Sequence, residues 1–499
     1  MARHRKRTLR ATEYIGLRHP FTPQVIFSDD YIARMHDAAL DVLEAQGMKF
    51  LLPEARRILA AAGARVVDDE MVHIGRDIVG AALASAPRSW RMRAANPDRE
   101  RDYVSGALIF GPGAGCPNVT DLERGRRPGS LESYLETLAL QQSFDVIHML
   151  GPSAEPQDVP TPLRHYAMMQ AQITRADKPM FVYARGRAQI EESLHMIRLG
   201  LDLDQADWDR GVWAYTVINS NSPRQFDRPM AQGIIDFARA GQVSVITPFC
   251  LAGAMAPISV AGALVLQHAE ALAGITLAQM TRPGAPVSYG GFASNVDMKS
   301  GSPAFGTPEH VKFQIGSGQL ARHIGLPWRS ASGSAGNAAD MQAAQETTMA
   351  IWGALMGQAT FVIHAAGWLE GGLSFGYEKF LNDVEVLQMV AEMCTPTPAT
   401  EDDLALDAIA EVAPGGHFFA AAHTMRRYEQ AFYPPLLADL TNFGSWSDHG
   451  ALRSDQRATA LWRRILAEFQ PPPHGTAAAD RLAAFIAART AAGGAAPQD

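Results

Sequence analysis

Short apolar runs, each closed by Gly, Pro, Ser or Asn and each followed by a stretch of helical spacing, recur along the middle of the chain. The runs are Ala107–Phe110, Ile147–Leu150, Met180–Tyr183, Trp213–Asn219, Val243–Phe249, Ala285–Tyr289, Pro327–Ser330 and Thr360–His364. Their starts lie about 30–40 residues apart, the length of one strand–helix unit. Eight such units predict an α/β chain folded as a (β/α)8 TIM barrel. An open doubly wound sheet is the alternative. Two helices carry their own boundary signals. One opens at Thr307-Pro308-Glu309 and closes at Gly325 before Pro327, and the other runs from near Pro229 to Gly241.

The flanks read differently. Residues 1–27 form a basic arm, 28–105 a helical N-terminal extension, 106–395 the barrel, and 396–499 a Pro- and Ala-rich C-terminal extension expected to pack on it. With 499 residues, 47% of them hydrophobic, the chain can bury a large core. A net charge of −8 provides no basic field for nucleic acid. Cys116, Cys250 and Cys394 stand far apart without zinc or redox spacing, which points to a reducing compartment. The basic opening, Met1 to Arg10, lacks the apolar stretch of a secretory signal. The longest apolar stretch, Ala261 to Met280, carries Gln267, His268 and Glu270 and suits a core helix better than a membrane span. A cytoplasmic protein without membrane or nucleic-acid partners is expected.

In such barrels the working groups sit in loops at the carboxyl ends of the strands. Those loops are rich here in Gly, Ser, Asn and aromatic residues. Gly111-Pro-Gly-Ala-Gly115 has the G-x-G-x-G form of nucleotide and S-adenosylmethionine folds, but Pro117 and a polar stretch follow where a helix is wanted. No histidine or carboxylate set has metal-ligand spacing, so no metal site is expected. No nucleophile elbow, P-loop or Ser/His/Asp set is present either. What the strand ends do carry is aromatic: Tyr183, Tyr215, Phe249, Tyr289, Phe292, Trp328, Trp368 and Phe375. Desolvated aromatic faces can box an ammonium, each adding about 0.5–2 kcal/mol. The same rings can equally fill a core.

Three stretches resemble the trimethylamine methyltransferase family: Ser288 to Glu309, Gly336 to Glu346, and His364 to Ser374. The likeness spans nearly the whole chain. It implies a (β/α)8 barrel that passes a methyl group from a methylated amine to the cobalt of a corrinoid (cobalamin) carried by a separate protein, with no tightly bound cofactor of its own. The archaeal trimethylamine enzymes carry pyrrolysine within the barrel, and this chain has only the standard residues. It is similar instead to the branch without pyrrolysine, which takes quaternary amines such as glycine betaine. A quaternary ammonium leaves as a neutral amine and needs no general acid, so positioning and a desolvated cation pocket supply most of the catalysis.

On that resemblance Phe292 and Trp368, with Tyr289 or Tyr215, are expected around the ammonium, and His364 beside them. Asn219, Asn221, Asn295 and Arg185 are the candidates for a substrate carboxylate. Asp297 and Glu346 are the candidate catalytic carboxylates, facing the cation or orienting loops; Gln342 and Glu346 share a helix face at i, i+4. Gly113, Gly290, Gly291, Ser334 and Gly367 are expected in the loops that meet the corrin ring. Self-association is also expected. A non-catalytic betaine-type binder or sensor remains the alternative, and an S-adenosylmethionine methyltransferase, resting on the glycine loop alone, a third.

Overall fold

The computed structural model describes residues 14–498, so the basic opening lies outside the described residues. Seven parallel strands form one curled sheet: β1 (Ile109–Phe110), β2 (Met180–Phe181), β3 (Ala214–Ile218), β4 (Val243–Ile246), β5 (Val287–Gly290), β6 (Trp328–Ala331) and β7 (Phe361–Ile363). They neighbour one another in chain order from β2 to β7, and β7 then pairs with β1. An α-helix lies between each successive pair from β2 onward. Seven of the eight expected runs are therefore strands.

The eighth, Ile147–Leu150, is not a strand, yet it lies between β1 and the start of β2. The His148 N–H donates to Phe110 O (2.9 Å) and the Leu150 N–H to Pro179 O (3.0 Å). The Phe110 N–H donates to His148 Nδ1 at 2.9 Å instead of to a backbone carbonyl. A side chain thus takes a place in the ladder, and regular pairing is lost.

Register sorts the faces. Tyr289 stands beside Trp328, and Gly290 beside Arg329, which in turn stands beside Phe361. Neighbouring residues in a parallel pair point the same way and alternate along the strand. Arg329 and Phe361 therefore share one face with Ser288, while Tyr289 and Trp328 share the other. Tyr103, from the hairpin Ser89–Met92/Arg101–Val104, enters the first of these faces and bonds Ser288 Oγ (2.9 Å).

The helix boundaries follow their signals. Thr307 Oγ1 caps the helix Pro308–Ile324, which ends at Gly325 with φ +70°, a left-handed value that glycine takes freely. Asp227 caps Arg228–Ala240, which ends at Gly241. Among the described residues Val260–Thr281 is the only helix long and apolar enough to cross a membrane, and most of it is buried inside the fold. Each of its polar residues is used. Gln267 Oε1 accepts the N–H groups of Phe292 (3.2 Å) and Ala293 (2.9 Å). His268 Nδ1 meets the Tyr289 hydroxyl at 3.2 Å. Glu270 accepts from Ser220 Oγ, from Ser222 Oγ (2.6 Å) and from the Arg224 N–H (2.7 Å). One core helix thereby fixes the loops after β3 and β5.

The extensions attach at defined places. A short strand, Met48–Phe50, pairs with Gln225–Phe226 from the loop after β3. At the other end, the Trp462 Nε1–H of the helix Ser454–Glu468 donates to Glu378 Oε1 (2.8 Å) on the helix Tyr377–Met393.

Candidate active site

Three loop regions, at the carboxyl ends of β4, β5 and β7, bring one aromatic cluster together. Phe249 follows β4, Phe292 and Phe305 follow β5, and His364 and Trp368 follow β7. Ring centroids of Phe292 lie 4.8 Å from Phe249, 5.7 Å from Phe305, 5.6 Å from His364 and 6.1 Å from Trp368. Trp368 stacks on His364 at 4.6 Å and meets Phe305 at 5.0 Å. Into this cluster β6 sends Arg329, whose guanidinium carbon sits 4.6 Å from the Phe292 ring centre.

Arg329 is 1% exposed, and neither its Nε nor its Nη1 has a hydrogen-bond partner. No carboxylate among the described residues pairs with it. Burial pulls it down from the usual arginine range to about 9, so the guanidinium still carries its charge at neutral pH. A buried cation without a counter-ion costs several kcal/mol. Cation–π contact with Phe292 recovers about 2 kcal/mol of this. The arrangement is unfinished without an anion.

The imidazole next to it is neutral. Burial, and then the charge of Arg329, push His364 well below its ordinary value. The Ala114 N–H donates to His364 Nδ1 (3.2 Å), which places the ring proton on Nε2, and that nitrogen has no partner among the described residues. His364 itself has φ +59°, a left-handed conformation that costs a non-glycine residue about 1–3 kcal/mol. The loop is held there by the Gly367 N–H, which donates to Asp383 Oδ2 (2.8 Å). Asp383 in turn forms a buried ion pair with Lys379. Gly367 has φ +88°, and a Cβ on it would come within 2.4 Å of Phe375, so only glycine fits.

The structure brings some of the side chains expected around an ammonium together and leaves others apart. Phe292, Trp368 and His364 come together, with Phe249 and Phe305 added. Tyr289 does not join them, because its place in the strand turns it to the outer face, where Gln267 and His268 hold its hydroxyl. Tyr215 is packed deeper, edge-on to Phe181 and Phe361, with its hydroxyl donating to Leu150 O. The expected carboxylate ligands are engaged elsewhere. Asn219 donates to Thr247 O (3.1 Å), Asn221 pairs with Asp227, and Asn295 accepts from Thr307 Oγ1 (3.0 Å). Arg185 lies over Tyr183 and is bound to Glu155 at 2.6 Å, which Arg164 shares. Arg329, which sequence reasoning passed over, is a cation of the site with no carboxylate partner among the described residues; an arginine inside a buried β-run was its signal.

A family model described as trimethylamine methyltransferase (MTTB) matches residues 1–494. The chain belongs to that family. It is 34% identical over 466 residues to the glycine betaine methyltransferase of Desulfitobacterium hafniense (strain Y51), covering 93% of this chain and 97% of that protein. To the trimethylamine methyltransferase MttB of Desulfitobacterium hafniense (strain DSM 10664 / DCB-2) it is 28% identical, covering 90% of each. Among solved structures, the Methanosarcina barkeri monomethylamine methyltransferase (MtmB) overlays with a TM-score of 0.47 at 9% identity, covering 90% of this chain and 89% of that one.

The two carboxylates singled out for catalysis in this methyltransferase-family chain lie outside the aromatic cluster. Asp297 is exposed and closes its own turn, accepting from Ser300 Oγ (2.7 Å) and the Ser300 N–H (3.0 Å), bonds that hold its carboxyl below the ordinary range. Glu346 organises the loop after β6, accepting from Ser334 Oγ (2.6 Å) and from the N–H groups of Ala335 and Gly336, while Gln342 binds its other oxygen. The small rim residues are also packed: a Cβ at Gly113 would lie 3.1 Å from Ala366 O, at Gly290 2.6 Å from Thr247 Cα, and at Gly291 2.8 Å from Ser317. Neighbouring backbone and side chains already account for those glycines.

Proposed function

We propose that this protein moves a methyl group from a betaine, a quaternary ammonium that also bears a carboxylate, to cobalt(I) of a corrinoid carried by a partner protein. Glycine betaine is the simplest such donor. The observation that carries the reading is Arg329, a buried charged guanidinium with no anion, set against a cluster of aromatic rings. A carboxylate would complete it with charge-assisted hydrogen bonds, and the Nε2–H of neutral His364 is placed to add another. The trimethylammonium end would then lie against Phe292, Phe305 and Trp368. His364 stays uncharged, so no second cation opposes the substrate.

The chemistry asked of the chain is modest. The C–N bond breaks as the methyl carbon bonds to cobalt, the electron pair stays on nitrogen, and a neutral tertiary amine departs. No proton need be given or taken, which agrees with a site holding a neutral imidazole and, among the described residues, no carboxylate. The chain's residues fix the donor in line and exclude water from it. We read the curled sheet, with Ile147–Leu150 spanning β1 and β2, as a (β/α)8 barrel whose mouth receives the corrinoid, and we place the reaction in the cytoplasm, where unpaired thiols persist. Methylated cobalamin, followed by absorbance with cob(I)alamin and an amine panel, tests this. Transfer from glycine betaine but not from choline or trimethylamine is expected. Betaine binding with no transfer from any amine would make the protein a binder instead.

A further inference from the structure

One line of side chains runs from the N-terminal extension to the aromatic site. His36, half-buried on the helix Asp29–Asp41, sets its Nδ1 2.9 Å from Nε2 of the fully buried His268. His268 Nδ1 meets the Tyr289 hydroxyl (3.2 Å), and Gln267 Nε2 lies 3.3 Å from the same oxygen. The other end of the Gln267 amide holds the N–H groups of Phe292 and Ala293. Four side chains therefore join the outside of the fold to the loop that carries Phe292 into the cluster.

The bonding dictates where each proton lies. Two backbone N–H groups need an acceptor, so Gln267 turns its oxygen to them and its NH2 to Tyr289 Oη and to Ser317 Oγ (2.9 Å). The phenol oxygen accepts from Gln267, so its own O–H donates to His268 Nδ1. Neutral His268 then carries its one proton on Nε2 and donates it to His36 Nδ1. A proton taken from solvent onto His36 Nδ1 reverses the line. His268 can now only accept at Nε2, its single proton sits on Nδ1, and that N–H points at Tyr289. The phenol oxygen faces two donors, and its own O–H loses its acceptor unless Gln267 turns over and drops Phe292 and Ala293. A buried donor without an acceptor is costly. We propose that His36 is a positioning residue of the site: as it gains a proton, the reversed hydrogen bonds release the Phe292 loop from Gln267 and loosen the aromatic cluster.

The surroundings of His36 set when this happens. His268 faces it from Val260–Thr281, His323 from Pro308–Ile324 with ring centroids 5.0 Å apart, Arg76 from Arg76–Ser85, and Asp37 from its own helix. Arg76 is itself paired with Asp37, Asp41 and Glu44. Burial, and then His323, hold His36 below the ordinary imidazole range; Asp37 opposes them, and Arg76 adds to them. Cys250, which faces Tyr289, keeps its thiol proton because burial pushes it well above its usual value.

Two-bond proton–nitrogen spectra of the full protein, labelled with 15N in histidine, read the tautomers directly. At about pH 7.5 His268 should carry its proton on Nε2, and towards about pH 5 it should change to the Nδ1–H form as His36 becomes charged. Hydrogen exchange gives a second reading. Corrected for the intrinsic pH dependence, the Phe292 and Ala293 amides should exchange about tenfold faster at the lower pH. The Ser332 amide, bonded to Ile363 O (2.9 Å), reports general loosening and should not follow them. His36→Gln offers His268 an oxygen but cannot take up a proton, so its Phe292 loop should stay protected throughout. Neither measurement uses a substrate, so failure here leaves the methyl-transfer reading standing. His268 keeping its proton on Nε2 while His36 charges, a Ser332 amide that accelerates equally, or a pH response in His36→Gln equal to that of the wild type would each overturn the proposal.

Discussion

Replacing Arg329 with methionine should move stability and binding in opposite directions. The guanidinium is buried, charged and unpaired, and its burial cost shows in the drop to about 9. Methionine has similar length and no charge, so the free protein should gain about 1–3 kcal/mol after the lost Phe292 contact is set against the relief of desolvation. Binding should suffer far more. Removing the partner of a buried carboxylate costs about 2–5 kcal/mol, or roughly 30- to 5,000-fold in Kd. Chemical denaturation reads the first effect, and calorimetric titration with glycine betaine the second. A structural role for Arg329 would show both falling together. The reasoning is refuted if Arg329→Met is less stable than wild type and still binds betaine with unchanged affinity.

Other residues make separate predictions. Trp368→Leu and Phe292→Leu should each raise the betaine Kd about 2- to 30-fold by removing one cation-facing ring, with stability costs that a denaturation midpoint reports separately. Asp383→Asn removes the charge that pairs with Lys379 and strands that cation in the core, so a loss of about 3–5 kcal/mol is expected in the same denaturation measurement. His148 and His310 are pushed down by burial to about 3 and about 4, and His268 and His364 also lie well below the ordinary value. In that window the unfolded chain binds more protons than the folded one. Stability should therefore fall as pH drops from about 6.5 towards 4, by about 1.4 kcal/mol per pH unit for each such histidine. A flat unfolding midpoint across that range would contradict the assignment of these rings as neutral.

The strand count was nearly complete in the sequence because a buried parallel strand announces itself twice, by an apolar run and by the turn residues that end it. Ile147–Leu150 had both signals and still formed no strand, since His148 puts a ring nitrogen where a carbonyl would pair. No spacing rule foresees that substitution. The faces were harder to read. Tyr289 and Phe292 both sit at the end of β5, and only the register of Tyr289 against Trp328 shows that one ring faces the helices while the other faces the site. Arg329 stood inside Pro327–Ser330, one of the four-residue runs, and drew no attention there. Its meaning appears only when its guanidinium is found buried among the described residues without a carboxylate partner. Asp297 and Glu346 were reasonable candidates by position, but hydrogen bonds to neighbouring loop atoms occupy both.

Glycine betaine labelled with deuterium in its methyl groups, mixed with this protein and cob(I)alamin, tests the central claim most directly. Mass spectrometry should find one labelled methyl group on cobalt for each dimethylglycine released, with both products lost in Arg329→Met. Dimethylglycine formed without labelled methylcobalamin, or no demethylation of any betaine under conditions where betaine binds, would contradict the account.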